Sequence, residues 1–405
     1  MDLPLTTRPC WVEIRTRALE DNYRFLRSLA GPEVECLAIV KADAYGHSLE
    51  LCAPAAVRAG ARWLGVTSVE EGVAARAACP GARILAISGA FPGQGSAVFQ
   101  HALTPVVWEP WQLDELESAA RATAAAPQSL AVHLEIDTGM SRQGAALADL
   151  PGLLARFTPA SPLRIEAVMT HLYASDEAHG EATPAQLARL EEALKTICSG
   201  LPTGIPQPET LSVGASAALL GGTADDLRAL AARWKLKPML RLGLALYGVV
   251  PQFDPEFPPG LIPAALASAR EHLQPVLAWK TRVAGVRTVP AGAQVGYNGT
   301  FVATEPMRLA LLPVGYADGL DRRLGNRFTV LVRGQRAPLV GRISMDQTVL
   351  DVTEIPGVIP GDEVVILGSQ EGETITAFDH AQAAGTIPWE IFTRIAPRVQ
   401  RVEIQ

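Results

Sequence analysis

Short apolar runs, separated by longer stretches of mixed character, dominate the first part of the chain. Each run is flanked by polar or turn-forming residues, which is typical of a strand buried on both faces of a parallel sheet. The runs occupy residues 36–40, 63–67, 84–88, 103–108, 130–136, 165–170, 211–214 and 240–247. This alternation predicts an α/β fold.

Segments rich in alanine and leucine lie between most of the runs and have the spacing of helices. Residues 183–194 are one example, with Thr183 as the N-cap and Pro184 at the first helical position. Eight strand–helix units within about 250 residues predict a (β/α)8 TIM barrel, and a doubly wound sheet is the alternative that fits eight strands less naturally. Residues 11–30 add a short strand and an amphipathic helix, and we place the barrel domain at residues 1–255.

The sequence pattern then changes. Five prolines between residues 251 and 263 predict a linker. Beyond it the apolar segments are short, rich in β-branched residues and interrupted by glycine, as in 328–332 and 363–367. This pattern predicts a second, mostly β domain at residues 264–405, closed by a short helix and a terminal strand.

The composition narrows the class of protein. Hydrophobic residues make up 48% of the 405 residues and charged residues 19%, an ordinary globular balance. A net charge of -7 argues against a nucleic-acid-binding protein, which needs a basic surface. Residues 1–8 are too polar for a signal peptide and no apolar run approaches about 20 residues, so we expect no membrane span. The five scattered cysteines lack CxxC spacing, which indicates thiols in a reducing cytoplasm and no metal site.

Lys41 stands directly after the first of the eight runs, where the chain leaves the predicted strand. In a barrel or a doubly wound sheet, the carboxyl ends of the strands carry the chemistry. A lysine at this position is partly desolvated, which lowers the pKa of its amine and favours the free base. A free amine can bond to an aldehyde such as that of pyridoxal 5'-phosphate (PLP). On position alone, a lysine that extends from the strand end into solvent is the alternative.

The residues around Lys41 carry a resemblance to a known family. Residues 40–47, Val-Lys-Ala-Asp-Ala-Tyr-Gly-His, closely resemble the cofactor-lysine signature of the alanine racemase family. The resemblance implies that Lys41 carries PLP and is one of two catalytic bases, and that Tyr45 contacts the cofactor phosphate. A barrel followed by a β domain also resembles the architecture of that family, so the resemblance covers nearly the whole chain.

Racemisation of an amino acid needs two bases, because the Cα proton leaves from one face and returns on the other. PLP spreads the resulting negative charge into its ring, and the protein supplies the bases. Residues 295–301, Val-Gly-Tyr-Asn-Gly-Thr-Phe, resemble the family segment with the second base, which implies this role for Tyr297. A loop tyrosine beside a glycine turn is the alternative. In the family this tyrosine belongs to the partner subunit, so the resemblance also implies a homodimer with two shared active sites.

Two barrel residues would support the tyrosine and the cofactor. A tyrosine with the ordinary pKa near 10 needs neighbours that stabilise its phenolate. A histidine and an arginine provide them in the family, and the counterparts are His171 and Arg241. The resemblance further implies that Arg241 faces the pyridine nitrogen of PLP. Because arginine stays protonated, that nitrogen stays unprotonated and transamination is suppressed relative to racemisation. A barrel-mouth ion pair is the alternative for Arg241.

Further segments resemble the binding motifs of the family. Arg142, in Gly-Met-Ser-Arg-Gln-Gly, would contact the PLP ring oxygen and the substrate carboxylate. Tyr316 would guard access to the site, and the amide of Met345 with Asp346 would line a pocket for a small amino acid. The implied phosphate contacts are Tyr45, Ser216, the amides of Gly243 and Leu244, and Trp389.

The chain departs from the family pattern at several positions. Many members carry a lysine, which can be carbamylated, where this chain has Glu135, and we hypothesise that this carboxylate orients Arg142. Ser212 and Ala215 replace a histidine and an asparagine. That histidine commonly supports the arginine that faces the pyridine ring, so the resemblance implies no such support for Arg241. Trp389 stands where a tyrosine usually donates to the phosphate, which predicts altered cofactor affinity or substrate preference.

These observations predict PLP-dependent racemisation of L-alanine to D-alanine in the cytoplasm, with D-alanine supplied for peptidoglycan. A racemase of the same fold that acts on another amino acid, such as serine or lysine, is one alternative. A non-catalytic PLP-binding protein is another, but such proteins usually lack the β domain. A related decarboxylase would normally carry a catalytic cysteine in the β domain, and no cysteine follows Cys198.

Overall fold

The computed structural model describes residues 8–178 and 180–404. These residues form two compact units. The barrel unit comprises residues 17–44 and 52–274, and the β unit comprises residues 8–16, 45–51 and 275–404. The β unit is thus assembled from three separate parts of the chain.

Within the described residues, the strands are β1 (Cys10–Arg15), β2 (Glu35–Ile39), β3 (Trp63–Val66), β4 (Arg83–Ala86), β5 (Thr104–Val107), β6 (Leu130–Glu135), β7 (Leu163–Met169), β8 (Thr210–Ala215), β9 (Lys237–Leu242), β10 (Leu277–Arg282), β11 (Gly285–Val289), β12 (Gln294–Val295), β13 (Phe301–Val302), β14 (Met307–Leu312), β15 (Thr329–Val332), β16 (Gln335–Pro338), β17 (Thr348–Asp351), β18 (Glu363–Gln370), β19 (Glu373–Ile375) and β20 (Gln400–Ile404). The helices are α1 (Thr16–Ala30), α2 (Lys41–Gly46), α3 (Leu49–Arg58), α4 (Val69–Ala78), α5 (Gly95–Gln100), α6 (Pro110–Ala122), α7 (Leu150–Leu154), α8 (Ala182–Gly200), α9 (Ser216–Leu220), α10 (Thr223–Arg233), α11 (Ala264–His272), α12 (Ala377–Ala384) and α13 (Pro388–Thr393). None of these described helices has the length and apolarity needed to cross a bilayer.

Strands β2 to β9 form a closed parallel barrel, in which each strand pairs with the next and β9 pairs with β2. They coincide with the eight apolar runs, so the predicted TIM barrel is confirmed. Strands β3 and β5 are buried at every residue. Helices such as α4 and α10 pack on the outside of the barrel. Burial on both faces is the physical reason that these strands are continuous apolar runs rather than alternating ones.

Two buried tyrosines fix β2, the strand that precedes Lys41. Tyr23 on α1 donates a hydrogen bond of 2.8 Å to the carbonyl of Cys36, and Tyr247 donates one of 2.7 Å to the carbonyl of Ile39. Both tyrosines are 1% exposed, so these bonds also satisfy hydroxyl groups that water cannot reach. The strand that delivers Lys41 is therefore held by side chains as well as by its neighbouring strands.

The β unit is built from sheets that are antiparallel except where β1 pairs with β20. The largest has the order β16-β15-β18-β10-β1-β20, with β19 paired to β18, and a second has the order β11-β14-β17. Strands β12 and β13 form a hairpin on their own. The helices α12 and α13 precede the last strand. The predicted mostly β region with a terminal strand is confirmed.

The unit boundaries differ from the predicted domain boundaries. Strand β1 was placed with the barrel, but it pairs antiparallel with β10 and parallel with β20, so it belongs to the β unit. The two units divide at residues 274 and 275 rather than within the proline-rich stretch 251–263, because α11 packs against α9 of the barrel. Pairing between strands far apart in sequence leaves no trace in the local periodicity.

Candidate active site

Polar side chains gather at the carboxyl ends of the barrel strands. Carboxyl ends of parallel strands in a closed barrel meet at one rim, where barrel enzymes carry their catalytic groups. The predicted residues at this rim are Lys41 after β2, Arg142 after β6, His171 after β7, Ser216 after β8, Arg241 in β9, and Gly243 and Leu244 after β9.

Lys41 is a half-buried amine among cations. Burial and the charges of Arg142 and Arg241 lower the pKa of Lys41, and the charge of Glu71 opposes this. Glu71 also fixes the backbone here, because its carboxylate accepts a hydrogen bond of 2.7 Å from the amide of Ala42. Lys41 therefore becomes a free amine at a lower pH than an exposed lysine does.

The backbone directly after Lys41 is strained. Residues 42–45 all have φ between 53° and 55°, in the left-handed region, although none of them is glycine. This conformation costs an L-residue about 1–2 kcal/mol. Such strain persists only where the surrounding structure imposes it, most often at functional sites. The strained turn α2 therefore indicates that the segment after Lys41 belongs to a functional site.

Arg241 is a buried cation, 4% exposed, whose guanidinium is held by acceptors of the barrel unit. Its Nη1 donates to the carbonyl and the hydroxyl of Ser212 at 2.8 and 3.0 Å, and its Nη2 donates to the carbonyl of Thr170 at 2.8 Å. Burial lowers the pKa of Arg241 to about 10, and the charge of Glu135 works against this. The arginine therefore stays charged at neutral pH. Ser212, which stands where the family commonly has a histidine, thus supports the guanidinium of Arg241 itself.

His171 is a neutral imidazole held by the same arginine. Its Nδ1 lies 3.0 Å from Nη2 of Arg241. Because a guanidinium only donates, Nδ1 accepts and the ring proton resides on Nε2. Burial, together with the charges of Arg241, Arg142 and Lys41, lowers the pKa of His171 to about 3. At neutral pH His171 therefore offers an N–H donor at Nε2.

Glu135 ends β6 as a buried carboxylate, 2% exposed. It accepts a hydrogen bond from Nε2 of Gln143, which also donates to the carbonyl of Ile87 at 3.2 Å. Burial raises the pKa of Glu135 above its ordinary value, and the hydrogen bond from Gln143 and the charges of Arg241 and Arg142 only reduce this rise. Among the described contacts, Glu135 is thus held by Gln143 and forms no direct bond to Arg142. Its influence on Arg142 and Arg241 is exerted by its charge.

Ser216 begins α9 directly after β8 and is 4% exposed. Its hydroxyl accepts hydrogen bonds from the amide of Gly243 at 3.1 Å and from the amide of Ala245 at 3.3 Å. Leu244 lies between them in the turn after β9, so the structure brings Ser216, Gly243 and Leu244 together. A hydroxyl and convergent amides at strand ends are typical donors for a bound phosphate.

Helix α8 holds the loops after β6 and β7. Gln186, which is fully buried, donates to the hydroxyl of Thr138 and to the carbonyl of His171, both at 2.9 Å. It also accepts a bond of 3.0 Å from the amide of Tyr173. Arg189, one turn further along, donates to the carbonyl of Thr138 at 2.9 Å. Two side chains of one helix therefore fix both loops.

The β unit presents Tyr297 on an exposed turn. Its side chain is 68% exposed and is flanked by Gly296 and Asn298, whose φ values of 71° and 62° lie in the left-handed region. An open groove of about 620 Å³ runs beside it. The groove is lined by Gly296, Tyr297, Ser344, Met345, Asp346 and Gln347. The structure therefore brings three of the predicted residues of this unit to one surface.

Tyr316, Trp389 and Tyr45 also lie in the β unit. Tyr316 is 43% exposed and Trp389 is 36% exposed, so the phenol and the indole are both accessible. Tyr45 is 8% exposed, and burial raises its pKa to about 12. Tyr45 is therefore a neutral phenol at physiological pH and can donate a hydrogen bond.

Three supporting residues were not among the predicted site residues: Glu71, Gln143 and Gln186. Gln186 had a visible signal, because it shares the buried face of α8 with apolar residues such as Leu190 and Leu194. A glutamine within such a face indicates a buried hydrogen-bonding role. Glu71 and Gln143 had no comparable signal. Glu71 accepts from the amides of Ala42 and Thr67, Gln143 donates to Glu135 and to the carbonyl of Ile87, and no local sequence pattern predicts these contacts.

Comparison with known proteins points to one family over both units. The model described as "Alanine racemase, N-terminal domain" matches residues 14–251, and the model described as "Alanine racemase, C-terminal domain" matches residues 276–403. The alanine racemase of Halothermothrix orenii is 36% identical over 395 residues, which cover 98% of this chain and 97% of that protein.

Solved structures agree with this. The alanine racemase of D-cycloserine-producing Streptomyces lavendulae has a TM-score of 0.85 and 35% identity, over 100% of this chain and 98% of its own. The alanine racemase of Bartonella henselae, solved with covalently bound pyridoxal phosphate, has a TM-score of 0.79 and 28% identity, over 98% of this chain and 99% of its own.

The contacts of Gln186 generate a first prediction. In Gln186→Met the carbonyl of His171 and the amide of Tyr173 lose a buried partner, which costs about 1–3 kcal/mol of unfolding free energy per unsatisfied group. We expect a lower thermal midpoint and faster amide hydrogen exchange in residues 138–142 and 171–173. The matched control is Gln207→Met, because Gln207 is exposed and makes one long bond of 3.4 Å. Equal exchange rates in the two variants would contradict the anchoring role.

The pKa of His171 generates a second prediction. An unperturbed histidine binds a proton near pH 6.5, whereas folded His171 stays neutral down to about pH 3. The unfolded chain therefore binds more protons in this window, so the contribution of His171 to stability is complete above pH 6.5 and is lost as the pH falls toward 3.

We expect the thermal midpoint of the wild type to fall more steeply between pH 6.5 and pH 4 than that of His171→Asn. The asparagine keeps an acceptor for Arg241 but has no proton to gain. Identical slopes in the two proteins would show that the imidazole is not held neutral.

Proposed function

Because the chain belongs to the alanine racemase family, we propose that it interconverts L-alanine and D-alanine with PLP bound covalently to Lys41. One observation carries the proposal. A lysine amine with a lowered pKa, a buried charged arginine and a hydroxyl–amide cluster lie at the same barrel rim. The relative from Bartonella henselae, solved with covalently bound pyridoxal phosphate, supports the choice of cofactor.

The residues at the rim fit PLP by their chemistry. The hydroxyl of Ser216 and the amides of Gly243 and Leu244 suit its phosphate, to which Tyr45 and Trp389 would add donors. Arg142 and Arg241 place two guanidinium groups at this rim, and both act on the pKa of Lys41. Guanidinium groups suit an anionic cofactor and the carboxylate of an amino acid.

Lys41 would act as the base on one face of the substrate. When bound, PLP supplies an electron sink that makes the Cα proton of an attached amino acid acidic. Nζ of Lys41 would take that proton as the free base or return it from the protonated form, and the lowered pKa of Lys41 favours the free base.

Arg241 would determine where the proton returns. Its guanidinium is fixed in direction by Ser212 and Thr170 and remains a charged donor because its pKa stays at about 10. At the pyridine nitrogen of the cofactor, Arg241 would donate a hydrogen bond and deliver no proton, so that nitrogen would stay unprotonated. The proton then returns to Cα in preference to the cofactor, which favours racemisation over transamination.

Tyr297 would be the base on the opposite face, contributed by a second copy of the chain in a homodimer. Its exposure of 68% on a tight turn makes the phenol available to another chain. His171 would stabilise the phenolate, because its Nε2–H is not used by Arg241. The proposal therefore predicts two active sites per dimer.

We assign recognition of the substrate to four of the predicted residues. Arg142 would bind the carboxylate of the amino acid, Met345 and Asp346 would line the pocket, and Tyr316 would guard access. Trp389 is bulkier than the tyrosine usual at this position. Together with the departures at Ser212 and Ala215, it favours a second candidate, a racemase of the same mechanism acting on serine or lysine.

The product D-alanine would supply peptidoglycan synthesis. We place the reaction in the cytoplasm, because the cysteines of the described residues are all free thiols, which is usual in a reducing compartment.

The test of the proposed function uses the purified protein. Its absorbance spectrum is recorded before and after borohydride, the peptide containing Lys41 is analysed by mass spectrometry, and D-alanine is measured after addition of L-alanine. We expect a visible band that borohydride removes, a cofactor mass fixed on Lys41, and conversion. In Lys41→Ala both the fixed mass and the conversion are lost. In Tyr297→Phe the fixed mass remains and turnover falls by about 10²–10⁴.

The outcomes separate the candidates. Bound PLP with turnover of serine or lysine and none of alanine would replace the first candidate by the second. A protein without bound PLP would contradict both.

The charge of Glu135 generates a further prediction. Glu135→Gln keeps an acceptor for Gln143 but removes the buried negative charge beside Arg142 and Arg241. We expect kcat/KM for alanine to fall about tenfold, a loss of about 1.4 kcal/mol, with the thermal midpoint nearly unchanged. Glu177→Gln, an exposed carboxylate in the same unit, is the control. Unchanged KM and kcat in Glu135→Gln would refute the role of this charge.

A further inference from the structure

Two turns of the β unit are joined backbone to backbone beside the groove. They are the access turn, residues 315–319, and the pocket turn, residues 344–347. The amides of Tyr316 and Ala317 donate to carbonyls of the pocket turn, both at 3.0 Å. Gly315 approaches so closely that a Cβ on it would lie 2.3 Å from a carbonyl oxygen of the pocket turn. The position of one turn therefore depends on the position of the other.

Asp318 is the buried anchor of the access turn, with 0% exposure. Its carboxylate accepts from the amide of Gly315 at 2.9 Å and from Nε of Arg398 at 2.8 Å. Arg8 donates to it as well, with Nη1 at 3.2 Å and with Nη2 in a closer contact. Because two arginines compensate this buried charge, Asp318 stays paired if either one is removed.

Asp346 of the pocket turn has one close cationic partner rather than two. Arg398 donates to its Oδ1 through Nη2 at 2.7 Å, while Arg8 is 3.8 Å away. The side chain of Asp346 is 54% exposed and lines the groove beside Tyr297. Loss of Arg398 would therefore leave Asp346, and not Asp318, without a close partner.

We propose that Arg398 is a positioning residue for the substrate groove, which holds the carboxylate of Asp346 in place and cancels its charge there. The inference rests on the proposed function, because the occupant of the groove is then an amino acid with its own carboxylate. An uncompensated Asp346 would repel that carboxylate and would be free to leave its position. Of the two carboxylates that Arg398 binds, Asp346 is the one that lines the groove, so we expect the effect of Arg398 on the reaction to run through Asp346.

A double-mutant cycle tests this. Arg398→Met is made in the wild type and in an Asp346→Asn background, and the steady-state constants for alanine are measured. The matched control is Arg336→Met, because Arg336 is 48% exposed and forms an ion pair of 3.0 Å with Glu373 elsewhere in the same unit.

In the wild type, Arg398→Met is expected to raise KM about tenfold, with kcat within about twofold, and added salt should narrow the difference by screening the charge. In the Asp346→Asn background the same substitution is expected to change KM by less than about twofold. Arg398→Lys should recover part of the affinity, because an ammonium can still neutralise Asp346. Arg336→Met should leave KM unchanged.

Two kinetic results would overturn the inference. One is an unchanged KM in Arg398→Met. The other is an equal rise of KM in both backgrounds, which would mean that Arg398 acts as a general structural tie and not through Asp346.

A second measurement is independent of activity and separates this inference from the proposed function. Amide hydrogen exchange of the pocket turn should be faster in Arg398→Met than in Arg336→Met, while exchange in β10 stays the same. If the wild type fails to turn over alanine, the proposed function fails and exchange alone decides the positioning role. Unchanged exchange of the pocket turn would then refute it.

Discussion

A charged guanidinium buried at the rim of the barrel constrains the residues around it. Arg241 is 4% exposed, and a buried charge is tolerated only where its donors find acceptors. The carbonyls of Ser212 and Thr170 meet this need, and Nδ1 of His171 accepts from the same group. The same charge fixes the tautomer of His171 and contributes to the lowered pKa of Lys41. One buried charge thus links the acceptors of β8 and of the segment after β7 to the protonation state of Lys41.

Few side chains would contact the substrate, and other side chains hold the strands and loops that carry them. Tyr23 and Tyr247 fix the strand that delivers Lys41, and Gln186 fixes the loops after β6 and β7. In the β unit Arg398 fixes the pocket turn. Each of these contacts is a hydrogen bond from a side chain to another loop or strand. Packing alone would not fix a loop to the accuracy that a proton transfer demands.

The barrel could be predicted because burial on both faces leaves an apolar run for every strand. Lys41 could be singled out because a charge at the end of such a run is conspicuous, whereas Arg241, which lies inside its run, was singled out by the resemblance to the family. The assignment of β1 to the β unit could not be predicted, because its partners β10 and β20 are hundreds of residues away in the sequence and leave no local pattern. The left-handed turn at residues 42–45 was equally hidden, since tertiary contacts impose it against local preference.

Burial and the charge of Arg241 lower the pKa of Lys41 and so favour its amine as a base. This is measured by the pH dependence of amine labelling at Lys41 in the cofactor-free protein, followed by mass spectrometry in the wild type and in Arg241→Gln. We expect a midpoint below the 10.5 of an ordinary lysine in the wild type, and a higher midpoint in the variant. A wild-type midpoint at 10.5 that does not move in Arg241→Gln would show that neither burial nor Arg241 acts on this amine.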